Sequence, residues 1–307
     1  FNTSNSIAAV AEDINSGDIL AMVSYPTFNS NDFVGGISAV KYNEYLNNPG
    51  KPLSNKTTQY SQSPGSTFKL LTDMVALDEG AITKNTRYST GSFEFGGVTF
   101  YDAARKNWGE IDMNKALCVS SNIYHMKASL ALNDKTKGKA AEKMNNTFAE
   151  MSLDKPSGIN IGTESVGYYP TPEERASRGL DWYTGYLLNA SIGQGDVRLS
   201  PIGLVKLVST VASDGNVKQQ RLVLDQENST SNKQLDIRRS SFEDIKEGMK
   251  CAAELNNTYL SMDTSTVPKL GLKTGTAETG QLGKDKQEII HGWEVSFAPY
   301  DEPKIAM

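Results

Sequence analysis

Three short motifs in this 307-residue sequence combine side chains that could carry out acyl transfer. In chain order they are Ser66-Thr67-Phe68-Lys69, Ser120-Ser121-Asn122 and Lys273-Thr274-Gly275. A serine hydroxyl becomes a nucleophile when an amine nearby accepts its proton, and a further lysine can bind a carboxylate. The set therefore predicts a reaction that passes through a covalent serine ester.

The Ser-x-x-Lys pattern also begins at Ser38 and Ser152, but only Ser66 has the context of a helix start. Ser66 follows a Pro-Gly pair and opens an apolar stretch closed by Gly80, so a bounded helix is predicted. Ser38 lies in a polar loop, and Ser152 is followed by residues that end a helix. Taken alone, the motif is explained more simply by an N-capping Ser66 with Lys69 in solvent.

A helix start would place the reactive groups of the first motif on one face. Residues i and i+3 are neighbours there, so the Ser66 hydroxyl and the Lys69 amine can meet. The N-terminus of a helix also offers free backbone N–H groups and a partial positive charge to an oxyanion. We expect Gly65 to let a substrate approach the backbone closely.

The other two motifs each occur once in the chain, and their order after Ser66 makes coincidence a minor explanation. Residues 111–126 read as a helix interrupted by a short polar turn at Ser120. Residues 270–277 read as a strand, with Gly275 where another backbone must come close. A plain loop between helices and a strand with a solvated lysine are the simpler alternatives for each motif alone.

The chain resembles the penicillin-binding proteins, specifically the class B monofunctional D,D-transpeptidases of bacterial cell-wall synthesis. Beyond the three motifs, the resemblance covers an opening hairpin at residues 7–26, the segment Gly193-Gln194-Gly195 and the segment from His291 to Pro299. It implies a β-lactamase/transpeptidase-like fold, in which an antiparallel five-stranded sheet is flanked by helices and joined by a mostly helical subdomain.

The resemblance implies a catalytic role for five residues. Ser66 would attack the carbonyl between the two terminal D-alanines of a peptidoglycan stem peptide. Lys69 would act as the base if its pKa is lowered, which desolvation and the charge of Lys273 would both do. Ser120 would relay a proton to the leaving amine, and Asn122 would bind the substrate amide.

It also implies that Thr274, Gly275 and Thr276 bind substrate. Lys273 and Thr274 would hold the substrate carboxylate, and the backbone N–H groups of Ser66 and Thr276 would form the oxyanion hole. An amine from a neighbouring strand would then resolve the acyl-enzyme, with D,D-carboxypeptidase activity as a possible side reaction.

The implied partners are D-Ala-D-Ala stem peptides, β-lactams as covalent inhibitors, and a glycosyltransferase or cell-wall synthesis complex. A serine β-lactamase or a β-lactam sensor domain would share the acylation step, and these are the alternatives. Class A β-lactamases hold their deacylating water with a glutamate between the second and third motifs. Glu164 and Glu173 lie in that interval, although Glu164 matches a family position without that role.

Composition and residue inventory disfavour other classes of function. The net charge is −5 with a pI of about 5.3 and no basic run, which disfavours nucleic-acid binding. The two histidines, His125 and His291, are expected to be structural, and no cofactor or metal is predicted. The two cysteines, Cys118 and Cys251, are expected to be small buried hydrophobes and not a disulfide framework.

The order of patterns predicts how the chain is organised. Residues 6–25 read as a β-hairpin, and residues 66–260 read mostly as helices and loops. Strand patterns return at 270–279, 289–298 and 303–307, with a polar hairpin loop around 280–283. Strands at both ends imply an antiparallel sheet assembled from distant sequence.

Residues 1–307 are predicted to be one penicillin-binding transpeptidase domain. No apolar run approaches membrane-spanning length, and no signal sequence opens the chain. The resemblance implies a fragment, with a membrane anchor and pedestal upstream and a last strand and C-terminal helix downstream. It would place the parent protein on the extracytoplasmic face of the bacterial cell membrane.

Overall fold

A computed structural model describes residues 6–223, 232–260, 269–282 and 288–307. The strands are β1 (Ile7–Asp13), β2 (Ile19–Tyr25), β3 (Tyr88–Ser89), β4 (Ser92–Phe95), β5 (Val98–Tyr101), β6 (Glu110–Ile111), β7 (Asn216–Val217), β8 (Lys233–Gln234), β9 (Gly271–Leu282), β10 (Glu288–Ala298) and β11 (Ile305–Ala306). The helices are α1 (Ala39–Asn47), α2 (Lys56–Gln59), α3 (Lys69–Asp78), α4 (Met113–Cys118), α5 (Asn122–Lys135), α6 (Ala140–Glu150), α7 (Pro172–Ser177), α8 (Thr184–Ser191), α9 (Pro201–Ala212) and α10 (Arg239–Leu260). No helix within these ranges is long and apolar enough to cross a membrane.

The main sheet has five antiparallel strands, as the resemblance implies, and their order is β2-β1-β11-β10-β9. The opening hairpin pairs Val10 with Met22, and its turn is closed by Asp13, whose carboxylate accepts from the N–H of Ser16 at 3.0 Å. Gly17 occupies the turn with a φ of +80°, which glycine adopts without steric cost. Strand β9 lies at one end of the sheet, so one of its edges pairs with no other described strand.

Helix α3 forms the centre of the helical layer. Nine of its ten residues are buried, so its polar side chains, including Lys69, Thr72 and Asp73, lie inside the protein. A helix buried on every side packs in the middle of a core and not at its surface. The Thr72 hydroxyl satisfies its hydrogen-bonding capacity by donating to the Ser191 carbonyl at 2.7 Å, which ties α3 to α8.

The middle of the chain contains more strand than we expect from its sequence. Three two-stranded ladders, β3-β6, β4-β5 and β7-β8, lie between the helices. The β4-β5 hairpin turns at Gly96 and Gly97, both with positive φ, which is the two-residue turn that such hairpins favour. The predicted loop at 280–283 is wrong for residues 280–282, which continue β9, while residue 283 lies outside the described residues.

The cysteines form a disulfide, so the expectation that they are unbonded hydrophobes is wrong. Cys118 at the end of α4 is bonded to Cys251 on α10, with their Cα atoms 5.2 Å apart. The helices come close because Gly248 faces Leu117, where a Cβ would lie 2.9 Å from a Leu117 methyl. The bond closes a loop of 133 residues, and a bridge of this kind contributes about 2–5 kcal/mol of stability.

Candidate active site

Ser66 lies on a 3₁₀ turn, Gly65–Phe68, that runs directly into α3. The predicted helix start is therefore confirmed, with its first turn tightened. Thr67 and Phe68 point into the protein, and the Thr67 hydroxyl donates to the Pro64 carbonyl at 2.8 Å. Ser66 itself is half-buried and lines an open cleft, which leaves its hydroxyl accessible to a substrate.

Three glycines let strand β9 and the Gly-Gln-Gly segment press against this turn. A Cβ on Gly275 would lie 2.9 Å from the Pro64 carbonyl oxygen, which confirms the predicted close approach at that glycine. A Cβ on Gly65 would lie 2.5 Å from the Thr276 carbonyl oxygen. The expectation that Gly65 admits a substrate is therefore wrong, because the backbone of β9 fills that space. Gly193 meets the same turn, where its carbonyl accepts from the Gly65 N–H at 2.9 Å.

Lys69 joins the first motif to the second. Its side chain is fully buried, and its Nζ donates to Asn122 Oδ1 and to the Ser120 carbonyl, each at 2.7 Å. The Ser120 hydroxyl lies 3.3 Å from the same nitrogen. Burial holds the pKa of Lys69 well below its ordinary value, and the positive charge of Lys273 lowers it further.

Lys273 joins the third motif to the second from the opposite side. Its Nζ donates to Ser120 Oγ at 2.8 Å and to the Thr274 carbonyl at 2.7 Å. Burial lowers the pKa of Lys273 to about 7. The Ser120 hydroxyl thus lies between two buried amines, in position to exchange a proton with either of them.

The backbone of Ser120 is held in an unusual conformation. Its φ is +59°, in the left-handed region that non-glycine residues seldom adopt, at a cost on the order of 1–3 kcal/mol. This conformation accompanies the hydrogen bond from the Lys69 amine to the Ser120 carbonyl. Strain of this kind concentrates at functional sites, where the surrounding structure maintains it.

The Ser66 hydroxyl makes no hydrogen bond to any described residue, because the Lys69 amine is directed at Asn122 and Ser120. The structure thus brings Ser66 and Lys69 to neighbouring turns of one helix without the bond expected between nucleophile and base. Catalytic hydrogen bonds commonly tighten only when a substrate is bound.

Asp102 supports the second motif and was not found from the sequence. Its carboxylate accepts from the Ser121 hydroxyl at 2.8 Å and from the Ile123 N–H at 3.0 Å. Ser121 in turn caps α5 by accepting from the Tyr124 N–H at 3.2 Å. Nothing in the sequence around Asp102 signals this role, because it follows β5 and reaches the motif only through the fold.

The remaining predicted site residues line one wall of the cleft, which has a volume of about 1320 Å³. Thr274 is half-buried, Gly275 is buried and Thr276 is exposed along β9. The Gln194 amide donates to the Thr276 carbonyl at 3.3 Å, so the Gly-Gln-Gly segment helps to hold this strand. His291 also lines the cleft, and burial lowers its pKa.

The glutamates considered for a hydrolase do not reach this cleft. Glu164 accepts from the Ser157 N–H at 2.7 Å, and neither it nor Glu173 is among the lining residues. The carboxylates that line the cleft among the described residues are Asp102 and Glu278. Asp102 is already occupied by its bonds to the second motif.

Known proteins resemble this chain over nearly its whole length. The profile of the family described as "Penicillin binding protein transpeptidase domain" matches residues 7–307. The chain is 27% identical to the peptidoglycan D,D-transpeptidase MrdA of Haemophilus influenzae, covering 98% of this chain and 48% of the relative. It is 28% identical to MrdA of Escherichia coli, covering 98% and 50%. The chain therefore spans about half the length of these curated relatives.

Solved structures show the same fold. The complex between PBP2 and MreC from Helicobacter pylori superposes with a TM-score of 0.84 at 25% identity, covering 97% of this chain and 55% of that one. A Pseudomonas aeruginosa PBP2 superposes with a TM-score of 0.85 at 24% identity, covering 97% and 67%. The chain belongs to the penicillin-binding protein transpeptidase domain family, as a class B member of the MrdA/PBP2 type.

Proposed function

We propose that residues 1–307 form the catalytic domain of a peptidoglycan D,D-transpeptidase that cross-links stem peptides through an acyl-enzyme at Ser66. One observation carries this proposal. The amine of Lys69, three residues after Ser66, is fully buried and shares the Ser120 hydroxyl with the amine of Lys273. That arrangement supplies a nucleophile, a base of lowered pKa and a proton relay in one cleft.

Acylation begins when Ser66 Oγ attacks the carbonyl carbon between the two terminal D-alanines. The hydroxyl proton passes to Lys69 Nζ as the new C–O bond forms, and the backbone N–H groups of Ser66 and Thr276 receive the oxyanion. When the C–N bond breaks, the Ser120 hydroxyl gives its proton to the leaving D-alanine amine and regains one from Lys69. The 3.3 Å separation of Ser120 Oγ and Lys69 Nζ supports this relay.

Substrate binding uses the wall formed by β9. Charged Lys273 and the Thr274 hydroxyl hold the terminal carboxylate, while Asn122 bonds the substrate amide. Gly275 contributes by lacking a side chain, since any Cβ there would push the strand away from the Ser66 turn. The amine of a neighbouring stem peptide then attacks the ester, which releases Ser66 and forms the cross-link.

We also propose that the protein works at the extracytoplasmic face of the bacterial membrane, in a cell-wall synthesis complex that includes a glycosyltransferase. The solved PBP2–MreC complex from H. pylori and a similar chain in a peptidoglycan synthase complex that coordinates polymerization and crosslinking support a partner in cell-wall synthesis. Hydrolysis of the same acyl-enzyme by water would give D,D-carboxypeptidase activity as a side reaction.

A β-lactam should remain attached to this chain for many minutes at neutral pH. Of the carboxylates that line the cleft among the described residues, Asp102 is bonded to the Ser121 hydroxyl and Glu278 is exposed on β9, so we expect neither to activate a deacylating water. Intact mass spectrometry after incubation with a penicillin should show the mass of one drug molecule added and retained. Loss of that mass within seconds, with hydrolysed drug accumulating, would identify a hydrolase instead.

A retained adduct does not distinguish a transpeptidase from a β-lactam sensor domain, which would also stay acylated, so a second assay is needed. A D-Ala-D-Ala stem peptide supplied with a labelled D-amino acid should exchange its terminal D-alanine for the label. Acylation by the drug without any exchange would favour the sensor reading. Ser152→Ala, a serine of the same pattern elsewhere, is the matched control and should exchange normally.

The acylation rate should depend on pH as a bell-shaped curve. Lys69 must be neutral to accept a proton, so the rate should rise as Lys69 loses its proton, and burial moves this limb to lower pH than that of an ordinary lysine. Lys273 must be charged to bind a carboxylate. Its pKa of about 7 therefore places the falling limb of the free enzyme near pH 7. Second-order acylation rates across pH measure both limbs. Lys273→Arg should keep the acid limb and remove the basic one, because arginine stays charged; a basic limb that survives would refute the assignment.

A further inference from the structure

A buried acid–imidazole pair lies behind the catalytic lysines and belongs to none of the three motifs. Asp73 on α3 and His125 on α5 are both fully buried, with His125 Nε2 3.1 Å from Asp73 Oδ2. The other ring nitrogen, Nδ1, lies 2.5 Å from the carbonyl oxygen of Ser121, in the middle of the second motif. The pair thus connects the helix of Lys69 to the turn that binds the Lys69 amine.

The hydrogen bonds determine where protons can lie on this pair. A carbonyl oxygen only accepts, so Nδ1 of His125 must carry a hydrogen and donate it to Ser121. Nε2 and the Asp73 carboxyl then share one further proton, which lies either on the imidazole or on the carboxyl group. With the proton on His125 the pair is a carboxylate next to an imidazolium; with the proton on Asp73 both groups are neutral.

Of the two groups in the pair, the Asp73 carboxyl is the one whose charge affects the lysines. Asp73 lies one helical turn after Lys69 on the same face of α3, and its negative charge raises the pKa of both Lys69 and Lys273 against the lowering by burial. Among the described residues, Asp102 also raises the pKa of Lys69, and Tyr124 is a further ionisable group next to the Asp73–His125 pair. The pKa of Tyr124 is raised by burial and then by Asp73.

We propose that Asp73 and His125 are positioning residues that hold the Ser120 turn against Lys69 and stabilise the positive charge that Lys69 acquires during acylation. This inference rests on the proposed function. When Lys69 takes the Ser66 proton, the Asp73 carboxylate one helical turn away stabilises the new cation, and the contact with His125 holds that carboxylate in place. The second oxygen of Asp73, Oδ1, has no hydrogen-bond partner among the described residues, so no donor offsets the negative charge on that oxygen.

The Asp73→Asn variant separates electrostatics from packing. The asparagine amide can donate to His125 Nε2, so the hydrogen bond and the volume are kept while the negative charge is lost. Both lysine pKa values should fall, and both limbs of the acylation–pH curve should move to lower pH. Because a weaker base transfers protons more slowly, the variant should be slower than the parent near the optimum but faster below the parent's acid midpoint.

A purely structural role predicts a different result. It would slow the variant at every pH and leave the two midpoints unchanged. Glu12→Gln is the matched control, since Glu12 is a buried carboxylate on β1 that accepts from Gln220 at 2.7 Å and does not line the cleft. This control should leave both midpoints in place. Unchanged midpoints in Asp73→Asn as well would overturn the electrostatic part of the proposal.

Variants of His125 test the positioning part. His125→Phe removes the donor to the Ser121 carbonyl and should slow acylation about 10²-fold, the scale of a misplacement near 1 Å. His125→Asn restores an N–H near that carbonyl and should recover part of the rate. Equal rates for the two variants would overturn this part.

The outcomes distinguish this inference from the proposed function. If the parent is never acylated at Ser66, the proposed function fails and the inference fails with it. If the parent is acylated normally and Asp73→Asn shows no shift, the inference alone fails. If Asp73→Asn does not fold, ¹⁵N NMR spectra of the unmutated chain test the inference instead. The sequence has two histidines, so the ring signals of His125 need to be told apart from those of one other residue. Nδ1 of His125 should carry the hydrogen that its bond to the Ser121 carbonyl requires, and an Nδ1 without a hydrogen would refute the pair.

Discussion

Ser66→Ala should abolish covalent labelling of this chain by a fluorescent penicillin. Ser66 is the hydroxyl that lines the cleft at the start of α3, beside the glycine-packed edge of β9. Removing it deletes the atom that forms the ester, so the expected loss is complete and not partial. Labelling followed on a gel and peptide mapping of the parent adduct measure this.

The other two Ser-x-x-Lys serines provide matched controls for that experiment. Ser38 does not lie in the expected loop but caps the start of α1, where it accepts from the Lys41 N–H at 3.2 Å. Lys41 pairs with Glu44 at 2.7 Å on the surface. Ser152 lies in a turn after α6 with a φ of +54°. Neither serine lines the cleft of Ser66, so Ser38→Ala and Ser152→Ala should label like the parent. Labelling retained in Ser66→Ala would contradict the assignment.

Lys69→Arg should lower the acylation rate by about 10² to 10⁴, the range for loss of a general base. Arginine keeps the positive charge but stays protonated at any usable pH, so it cannot accept the Ser66 proton. Its longer, planar head group also replaces the amine that bonds both Asn122 and the Ser120 carbonyl. Stopped-flow acylation rates with a chromogenic β-lactam measure the loss.

Lys206→Arg is the control for replacing a buried lysine. Lys206 is 5% exposed on α9, and burial lowers its pKa as it does that of Lys69, but it does not line the active cleft. Thermal unfolding of both variants checks that each is folded. A Lys69→Arg variant that acylates within a few-fold of the parent would show that Lys69 contributes only its charge.

Local patterns in the sequence determined the parts of this protein that depend on neighbours along the chain. The alternating apolar residues and turn of the opening hairpin, the helix after Ser66 and the interruption before Asn122 all follow from short-range periodicity and turn chemistry. The three motifs also indicated acyl transfer, because each carries its reactive groups within four residues.

Tertiary structure decided every contact between residues far apart in the chain. The bond between Cys118 and Cys251 depends on how α10 crosses α4, and no spacing in the sequence reveals it. Asp102 and the Asp73–His125 pair reach the Ser120 turn only because the fold brings α3, α5 and the end of β5 together. The lowered pKa values of the two lysines belong to the same class of property, since burial and neighbouring charge exist only once the chain has folded.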